Sequence, residues 1–142
     1  KRMDGAVKTD LAQLLEKSDF VSLHINYCDE NVGFIGKAEF DLMKRGSFFV
    51  NTSRGELIDE AALLSVLREG GIAGAALDVL RGENMPEGFI PNNDKLVKYA
   101  QSHNNLIITP HIGGCTVESM EKTEVFIASK LVQYLSKSGY MM

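Results

Sequence analysis

The segment from Phe48 to Glu56 constrains the fold of this chain most strongly. Phe48-Phe49-Val50 is typical of a short strand covered on both faces of a sheet. Asn51-Thr52-Ser53 follows, and these short polar side chains hydrogen-bond nearby backbone and favour a loop. Arg54 comes next, just before a predicted helix. Ligands of open α/β sheets bind beyond the carboxyl ends of the strands, so Arg54 is predicted to lie at the mouth of a binding crevice.

Two later segments repeat this arrangement of a strand followed by polar residues. Ala75–Val79 is predicted to end a second strand, and Glu83 follows shortly after. Leu106–Ile108 is predicted to form a third, which leads to His111. Parallel strands end at the same edge of a sheet. That edge is therefore predicted to gather Arg54, the acids Asp78 and Glu83, and His111.

Strands and helices alternate along the whole chain, and hairpin signals are absent. This alternation predicts an α/β fold with a parallel sheet and right-handed crossovers. Strands are predicted at 20–25, 47–51, 72–79 and 106–109, and helices at 10–18, 37–44, 59–69, about 94–102 and about 116–137. The last helix begins after the predicted cap Thr116. Its apolar residues spread beyond one face, which predicts burial on two sides; they are Met120, Phe126, Ile127, Leu131, Val132, Tyr134 and Leu135.

Composition excludes several classes of function. The chain has 142 residues, of which 44% are hydrophobic and 24% charged, and its net charge of −4 gives no support for nucleic acid or an anionic membrane as partner. No apolar run approaches the roughly 20 residues of a membrane span, and no signal peptide follows Lys1–Gly5. Cys28 and Cys115 are isolated, so neither a metal site nor a disulfide framework is predicted. These features favour a cytoplasmic protein.

A dinucleotide-binding domain usually opens with a strand, a G-x-G-x-x-G loop and a helix that holds the pyrophosphate. The chain has no such motif, and Gly113-Gly114 is no substitute because it follows Pro110-His111. The prediction is a single partial domain, 1–142: a partial Rossmann-type, doubly wound parallel sheet lacking its first βαβ phosphate-binding half. Its final helix would lead towards a substrate domain. The missing first strand normally lies at the sheet centre, so one continuous sheet is not assured.

The motifs in this order resemble the D-isomer-specific 2-hydroxyacid dehydrogenases, most closely the D-3-phosphoglycerate dehydrogenase type. The matching segments are Ser18–His24, Gly36 with Met43-Lys44, Val50–Asp59, Gly74–Val79 and Thr109–Gly114. The resemblance implies NAD as cofactor and hydride transfer between nicotinamide and a D-2-hydroxy acid or 2-keto acid. It also implies an active site shared with a substrate domain, and a homodimer.

The resemblance also implies roles for individual residues, position by position. Arg54 matches the arginine that binds the substrate carboxylate and polarises its carbonyl, and His111 matches the general acid/base, with Glu83 as its catalytic glutamate. The remaining predicted cofactor-binding residues are Asp78 at the nicotinamide carboxamide, Thr52, Ser53 and Gly113 lining the nicotinamide pocket, and His24; Arg54 and His111 also face the cofactor. For His24, a strand-end histidine with a purely structural role is the alternative.

Two departures from the family pattern bear on these roles. Asn84-Met85 separates Glu83 from Pro86, where relatives have a proline directly after the glutamate. Asn26 stands where the family usually has a proline.

The chemistry suits these residue types. The alkoxide formed by hydride transfer needs a proton, and histidine, with an ordinary pKa of about 6.5, supplies one near neutral pH. A planar guanidinium holds a carboxylate bidentately. Two alternatives stay open: an NAD-sensing module of corepressor type, and a fragment that is inactive on its own. The identity of the 2-hydroxy acid, and NAD against NADP, depend on residues outside the chain.

Overall fold

The computed structural model describes residues 5–83 and 94–137. The chain forms two compact units, Lys1–Pro110 and His111–Met142. The first unit contains a sheet and four helices, and the second contains one long helix.

The predicted strands and helices are confirmed, with shorter bounds at most ends. The strands are β1 (Phe20–Leu23), β2 (Phe48–Asn51), β3 (Gly74–Leu77) and β4 (Leu106–Ile108), and the helices are α1 (Leu11–Lys17), α2 (Lys37–Leu42), α3 (Glu60–Arg68), α4 (Lys95–Ser102) and α5 (Val117–Lys137). Single 3-10 turns lie at Asp29–Asn31 and Gly55–Leu57. Aspartates begin three of the helices: Asp10, Asp59 and Asp94 each accept hydrogen bonds from backbone N–H groups of the first turn.

The four strands form one continuous parallel sheet in the order β1-β2-β3-β4. In this register Phe20 pairs with Phe48 and Phe48 pairs with Gly74, while Leu77 pairs with Ile108. The fold class, a parallel α/β sheet, is confirmed. The concern that the sheet would be interrupted is wrong, because each strand pairs with its neighbour along the chain. The sheet from β1 to β4 is therefore continuous without a further strand between them.

One face of the sheet is buried beneath helices. Phe49 and Leu77 join Phe40 of α2, Leu63 of α3 and Leu96 of α4 in one hydrophobic cluster. The burial of whole side chains in this cluster is the main force that holds helices and sheet together.

The opposite face of the sheet is exposed in the described chain. Phe20 is 70% exposed, Ile107 is 61% exposed and Phe48 is 41% exposed. The rings of Phe20 and Phe48 stack with their centroids 5.2 Å apart. The prediction that both faces of β2 are covered is therefore wrong for the described residues: Phe49 is buried, whereas Phe48 is not.

The second unit contains α5, whose start is confirmed at the predicted cap. The Thr116 Oγ1 accepts a hydrogen bond of 3.2 Å from the Ser119 backbone N–H. None of the described residues of α5 is buried, so the expectation of burial on two sides is wrong for this chain. Within residues 5–83 and 94–137, no helix is both long and apolar enough to cross a membrane.

We expect two leucine-to-alanine substitutions to separate buried from exposed helix positions. Leu63 of α3 is fully buried, whereas Leu42 of α2 is 39% exposed. Leu63→Ala should lower the free energy of unfolding by about 2–5 kcal/mol, because it leaves a cavity in the cluster. Leu42→Ala should lower it by at most about 1 kcal/mol. Urea unfolding of the two variants measures the difference, and equal losses would contradict the assigned core.

Candidate active site

A cleft of about 440 Å³ opens at the carboxyl ends of β1 and β2. This is the edge of the sheet that the sequence predicts for ligand binding. Its lining residues are Ile25, Asn26, Tyr27, Thr52, Ser53 and Arg54. The structure therefore brings together three of the predicted site residues, Thr52, Ser53 and Arg54, along with Asn26, the position of one departure from the family pattern.

The loop that carries Arg54 is tied to the end of β2 and to the end of β1. The Asn51 side chain donates from Nδ2 to the Arg54 backbone oxygen at 2.9 Å and accepts at Oδ1 from the Ser53 backbone N–H at 3.0 Å. The Ser53 Oγ donates to the backbone oxygen of Leu23 in β1 at 3.0 Å. The exposed Arg54 side chain donates from Nη1 to the Ser53 backbone oxygen at 2.6 Å. The backbone around Arg54 is therefore held at several points.

Gly55 lets this loop touch the loop that follows β3. A Cβ at Gly55 would lie 2.1 Å from the backbone carbon of Leu80 and 2.2 Å from the backbone nitrogen of Arg81. No side chain fits such a space, because its neighbours are backbone atoms. The two loops therefore pack backbone against backbone.

Two carboxylates also join these two loops. The Glu56 Oε1 accepts a hydrogen bond of 3.2 Å from the Gly82 backbone N–H. The Glu60 Oε1 accepts one of 2.7 Å from the Arg81 backbone N–H. These contacts attach the loop that carries Glu83 to the segment that follows Arg54.

Glu83 lies at the end of this second loop. Its Oε2 accepts a hydrogen bond of 3.1 Å from the Leu80 backbone N–H. The side chain thus folds back over its own turn. The residues that separate Glu83 from Pro86 lie outside the described part of the chain.

Asp78 lies directly after β3 and is buried. Its backbone N–H donates to the Asn51 oxygen at 2.9 Å, and its carboxylate accepts a hydrogen bond from Thr109 Oγ1. This contact joins the ends of β3 and β4. Asp78 is thus held at the carboxyl edge of the sheet, as predicted.

His24 follows β1 directly, at the same edge of the sheet. Its Nε2 forms a hydrogen bond of 2.8 Å with Ser22 Oγ, two residues back on the exposed side of the strand. This local partner is what the structural alternative for His24 predicts. The cofactor role of His24 stays a prediction.

His111 and Gly113 belong to the second unit and precede α5. His111 has a φ of 54°, in the left-handed region that residues other than glycine seldom adopt. Among the described residues it is the one non-glycine residue with positive φ. Such conformations concentrate at functional sites, where the surrounding structure maintains them.

Four residues with site roles were missed by sequence reasoning. They are Asn51, Glu56, Glu60 and Thr109, all of which position loops or neighbouring side chains. Asn51 and Thr109 had a readable signal, since each is a polar residue directly at the end of an apolar strand. Glu56 and Glu60 had none, because their partners are backbone groups of a distant loop.

Within residues 5–83 and 94–137, no group of three or more His, Cys, Asp or Glu side chains is arranged to hold a metal ion. Cys28 and Cys115 are free thiols, the first half-buried and the second exposed.

The chain belongs to the family of D-isomer specific 2-hydroxyacid dehydrogenases, through their NAD-binding domain, whose pattern matches residues 1–113. The family confirms the resemblance found in the sequence and the predicted cofactor, NAD. It also fits the parallel sheet and the polar edge described above.

The curated relatives include a D-3-phosphoglycerate dehydrogenase and a glyoxylate reductase. The chain is 39% identical over 130 residues to D-3-phosphoglycerate dehydrogenase of Dictyostelium discoideum, covering 92% of this chain and 31% of the relative. It is 38% identical over 130 residues to glyoxylate reductase of Thermococcus litoralis, covering 92% of this chain and 36% of the relative. The chain therefore spans about a third of the length of these relatives.

Solved structures share the fold. D-2-hydroxyisocaproate dehydrogenase superposes with a TM-score of 0.78 at 30% identity, covering 97% of this chain and 44% of that one. The NAD-complexed D-isomer specific 2-hydroxyacid dehydrogenase of Lactobacillus delbrueckii ssp. bulgaricus gives a TM-score of 0.74 at 31% identity, covering 89% and 40%. These neighbours confirm a Rossmann-type NAD-binding fold for the chain.

The contact at Gly55 predicts a large effect of one methyl group. Gly55→Ala should lower the free energy of unfolding by about 1–3 kcal/mol or more, because the backbone of Leu80 and Arg81 must move. Gly114→Ala is the control, since a Cβ there meets nothing within 4 Å. It should change stability by less than about 0.5 kcal/mol. Equal effects in thermal or urea unfolding would contradict the backbone contact.

The environment of Glu60 predicts that the free energy of unfolding depends on pH. Burial raises the pKa of Glu60 above its ordinary 4.5, although the hydrogen bond from Arg81 opposes this. Folding therefore disfavours the ionised form, and this penalty disappears as the pH falls through the raised pKa to 4.5. Wild type should gain stability relative to Glu60→Gln as the pH falls from 7 to 4.5, measured by urea unfolding.

Glu30 provides a control of opposite sign. A backbone hydrogen bond and the Cys28 side chain lower the pKa of Glu30 below 4.5. The stabilisation that ionised Glu30 gives the folded state is fully present above pH 4.5 and is lost as the pH falls through the lowered pKa. Wild type should therefore lose stability relative to Glu30→Gln below pH 4.5. The assigned environments would be contradicted if acidification changed the stability of wild type in the same direction relative to Glu60→Gln and to Glu30→Gln.

Proposed function

We propose that this chain forms the part of an NAD-dependent D-2-hydroxyacid dehydrogenase that faces the nicotinamide and the substrate. The reaction is hydride transfer between NAD and a D-2-hydroxy acid or 2-keto acid. The observation that carries the proposal is the Arg54 loop: its backbone is held on both sides and its cationic side chain borders the cleft. Family membership supplies the class of reaction.

Arg54 binds the substrate carboxylate in this proposal. A guanidinium offers a planar pair of N–H donors that match the two oxygens of a carboxylate. Binding there also places a cation beside the carbonyl oxygen, where negative charge grows during reduction. An exposed arginine on a well-anchored loop suits this role, since the loop limits where the charge can be.

His111 acts as the general acid/base, with Glu83 as the carboxylate that supports it. In the reducing direction His111 donates a proton to the substrate oxygen as the carbonyl carbon is reduced, and in the oxidising direction it removes that proton. The attachment of the loop that carries Glu83 to the segment that follows Arg54 supports a shared site for Arg54 and Glu83.

The edge residues fit a nicotinamide ring. Thr52 and Ser53 offer hydroxyl groups in the cleft, and the buried Asp78 carboxylate is an acceptor suited to the carboxamide N–H₂. Gly113 and His24 complete the proposed set. When bound, the cofactor would donate the hydride as NADH or accept it as NAD+, and the protein would orient and polarise the reactants.

The whole protein is proposed to be a cytoplasmic homodimer whose substrate domain selects the acid. The isolated 142-residue chain is proposed to be inactive. The relatives' names direct the first assays to 3-phosphoglycerate and glyoxylate.

Three substitutions in the full-length protein test the proposed function. His111→Gln should lower kcat by about 10²–10⁴-fold, because the proton donor is lost. Arg54→Ala should raise the KM for the 2-keto acid and lower kcat/KM by at least about 100-fold, because a charge-assisted pair is lost. The control is Arg45→Ala, an exposed arginine just before the amino end of β2, which should keep wild-type kinetics.

NADH fluorescence titration accompanies these assays and should show little change in Kd for Arg54→Ala. Wild-type turnover in both His111→Gln and Arg54→Ala would refute the enzymatic proposal. NADH binding by the full-length protein without turnover of any 2-hydroxy acid would instead favour the NAD-sensing module.

A further inference from the structure

We propose that Asn51 is a positioning residue for Arg54. Its buried side chain fixes the backbone at Ser53 and Arg54, and so determines where the guanidinium meets the substrate carboxylate. This inference rests on the proposed function of Arg54.

The first support is the pair of hydrogen bonds made by one buried amide. Asn51 is fully buried, yet both ends of its side chain are bonded to the loop: Nδ2 donates to the Arg54 oxygen at 2.9 Å and Oδ1 accepts from the Ser53 N–H at 3.0 Å. A side-chain amide supplies a donor and an acceptor at fixed spacing in one plane. Aspartate cannot donate, and a valine can do neither.

The second support is the position of Asn51 in the sheet. It is the last residue of β2, in register with Leu23 of β1 and Leu77 of β3. Its backbone oxygen accepts from the Asp78 N–H at 2.9 Å. Asn51 thus lies on an inner strand, paired on one side with β1 and on the other with β3, which gives its amide a rigid base.

The third support is the cost of placing an amide there. A buried polar side chain is unfavourable unless its hydrogen bonds are made, so an apolar residue would serve the strand better. Both hydrogen bonds of the Asn51 side chain go to the loop, and neither joins one strand to another. The loop conformation is therefore what the buried amide stabilises.

The loop has a second fixed point on the far side of Arg54. Gly55 packs directly against the backbone of Leu80. Arg54 therefore lies between the Asn51 amide and the Gly55 contact. Releasing the first of these points lets the Arg54 backbone shift, and a misplacement of about 1 Å in a reacting constellation can cost about 100-fold in rate.

The test is a double-mutant cycle in the full-length protein with a 2-keto acid such as glyoxylate and NADH. Asn51→Ala should raise the KM for the keto acid and lower kcat/KM by about 10–100-fold, with the Kd for NADH within about twofold of wild type. In the Arg54→Ala background, Asn51→Ala should cause no further loss of kcat/KM, because it acts through Arg54. A role confined to stability would neither raise the KM for the keto acid nor make the effect of Asn51→Ala depend on the presence of Arg54.

Ser47→Ala is the matched control at the other end of β2. Ser47 is also buried, and its Oγ donates to the Lys44 backbone oxygen at 2.7 Å. Its loss should lower stability and leave kcat/KM unchanged. Asn51→Ser is the second variant, used if Asn51→Ala does not fold; its shorter neutral side chain keeps at most one of the two hydrogen bonds, so its kcat/KM should fall between wild type and Arg54→Ala.

The outcomes separate the two proposals. Wild-type kcat/KM in Arg54→Ala would overturn the function proposed for Arg54, and the positioning role with it. A loss in Arg54→Ala together with wild-type kcat/KM in the folded Asn51 variants would overturn the positioning role alone. The positioning role would also be overturned if the kcat/KM losses of Asn51→Ala and Arg54→Ala multiplied in the double variant, since Asn51 would then act independently of Arg54.

Discussion

The close contact between Gly55 and the backbone of Leu80 and Arg81 is the constraint on which the proposed site depends. Adjacent parallel strands place their following loops at the same edge, but they do not by themselves make those loops touch. Because Gly55 has no side chain, the contact is possible. The carboxylates of Glu56 and Glu60 accept hydrogen bonds from backbone N–H groups of the loop that follows β3. Arg54 and Glu83 are therefore carried by one connected piece of backbone.

The acidic residues near this edge have two different functions. Glu56 and Glu60 accept hydrogen bonds from backbone N–H groups of the loop that follows β3, and so hold that loop in place. Asp78 joins the ends of β3 and β4 through Thr109 and is the acid that the nicotinamide is proposed to meet. At this edge, then, the hydrogen-bond partners of each carboxylate distinguish those that support the backbone from the one proposed to meet the cofactor.

The errors in the sequence-based expectations have a common physical cause. The apolar run at Phe48 predicts burial on both faces, and the apolar residues of α5 predict burial on two sides, yet Phe48 is 41% exposed and no described residue of α5 is buried. Hydrophobicity indicates which surfaces favour removal from water, but it does not specify what covers them. The doubt about a continuous sheet had another origin: it assumed that the central strand is required for pairing, whereas neighbours along the chain pair directly.

The sequence by itself determined the alternation of strands and helices, the aspartate caps, the polar residues at strand ends and the resemblance to the dehydrogenase family. These features are local or depend on residue order, so periodicity and motif spacing reveal them. Only the tertiary structure decided that Asn51 clamps the Arg54 loop, that Gly55 admits a second backbone and that Glu60 supports the loop of Glu83. Those contacts join atoms through specific three-dimensional geometry, and in the last two cases the partners lie more than twenty residues apart. Neither periodicity nor composition contains that information.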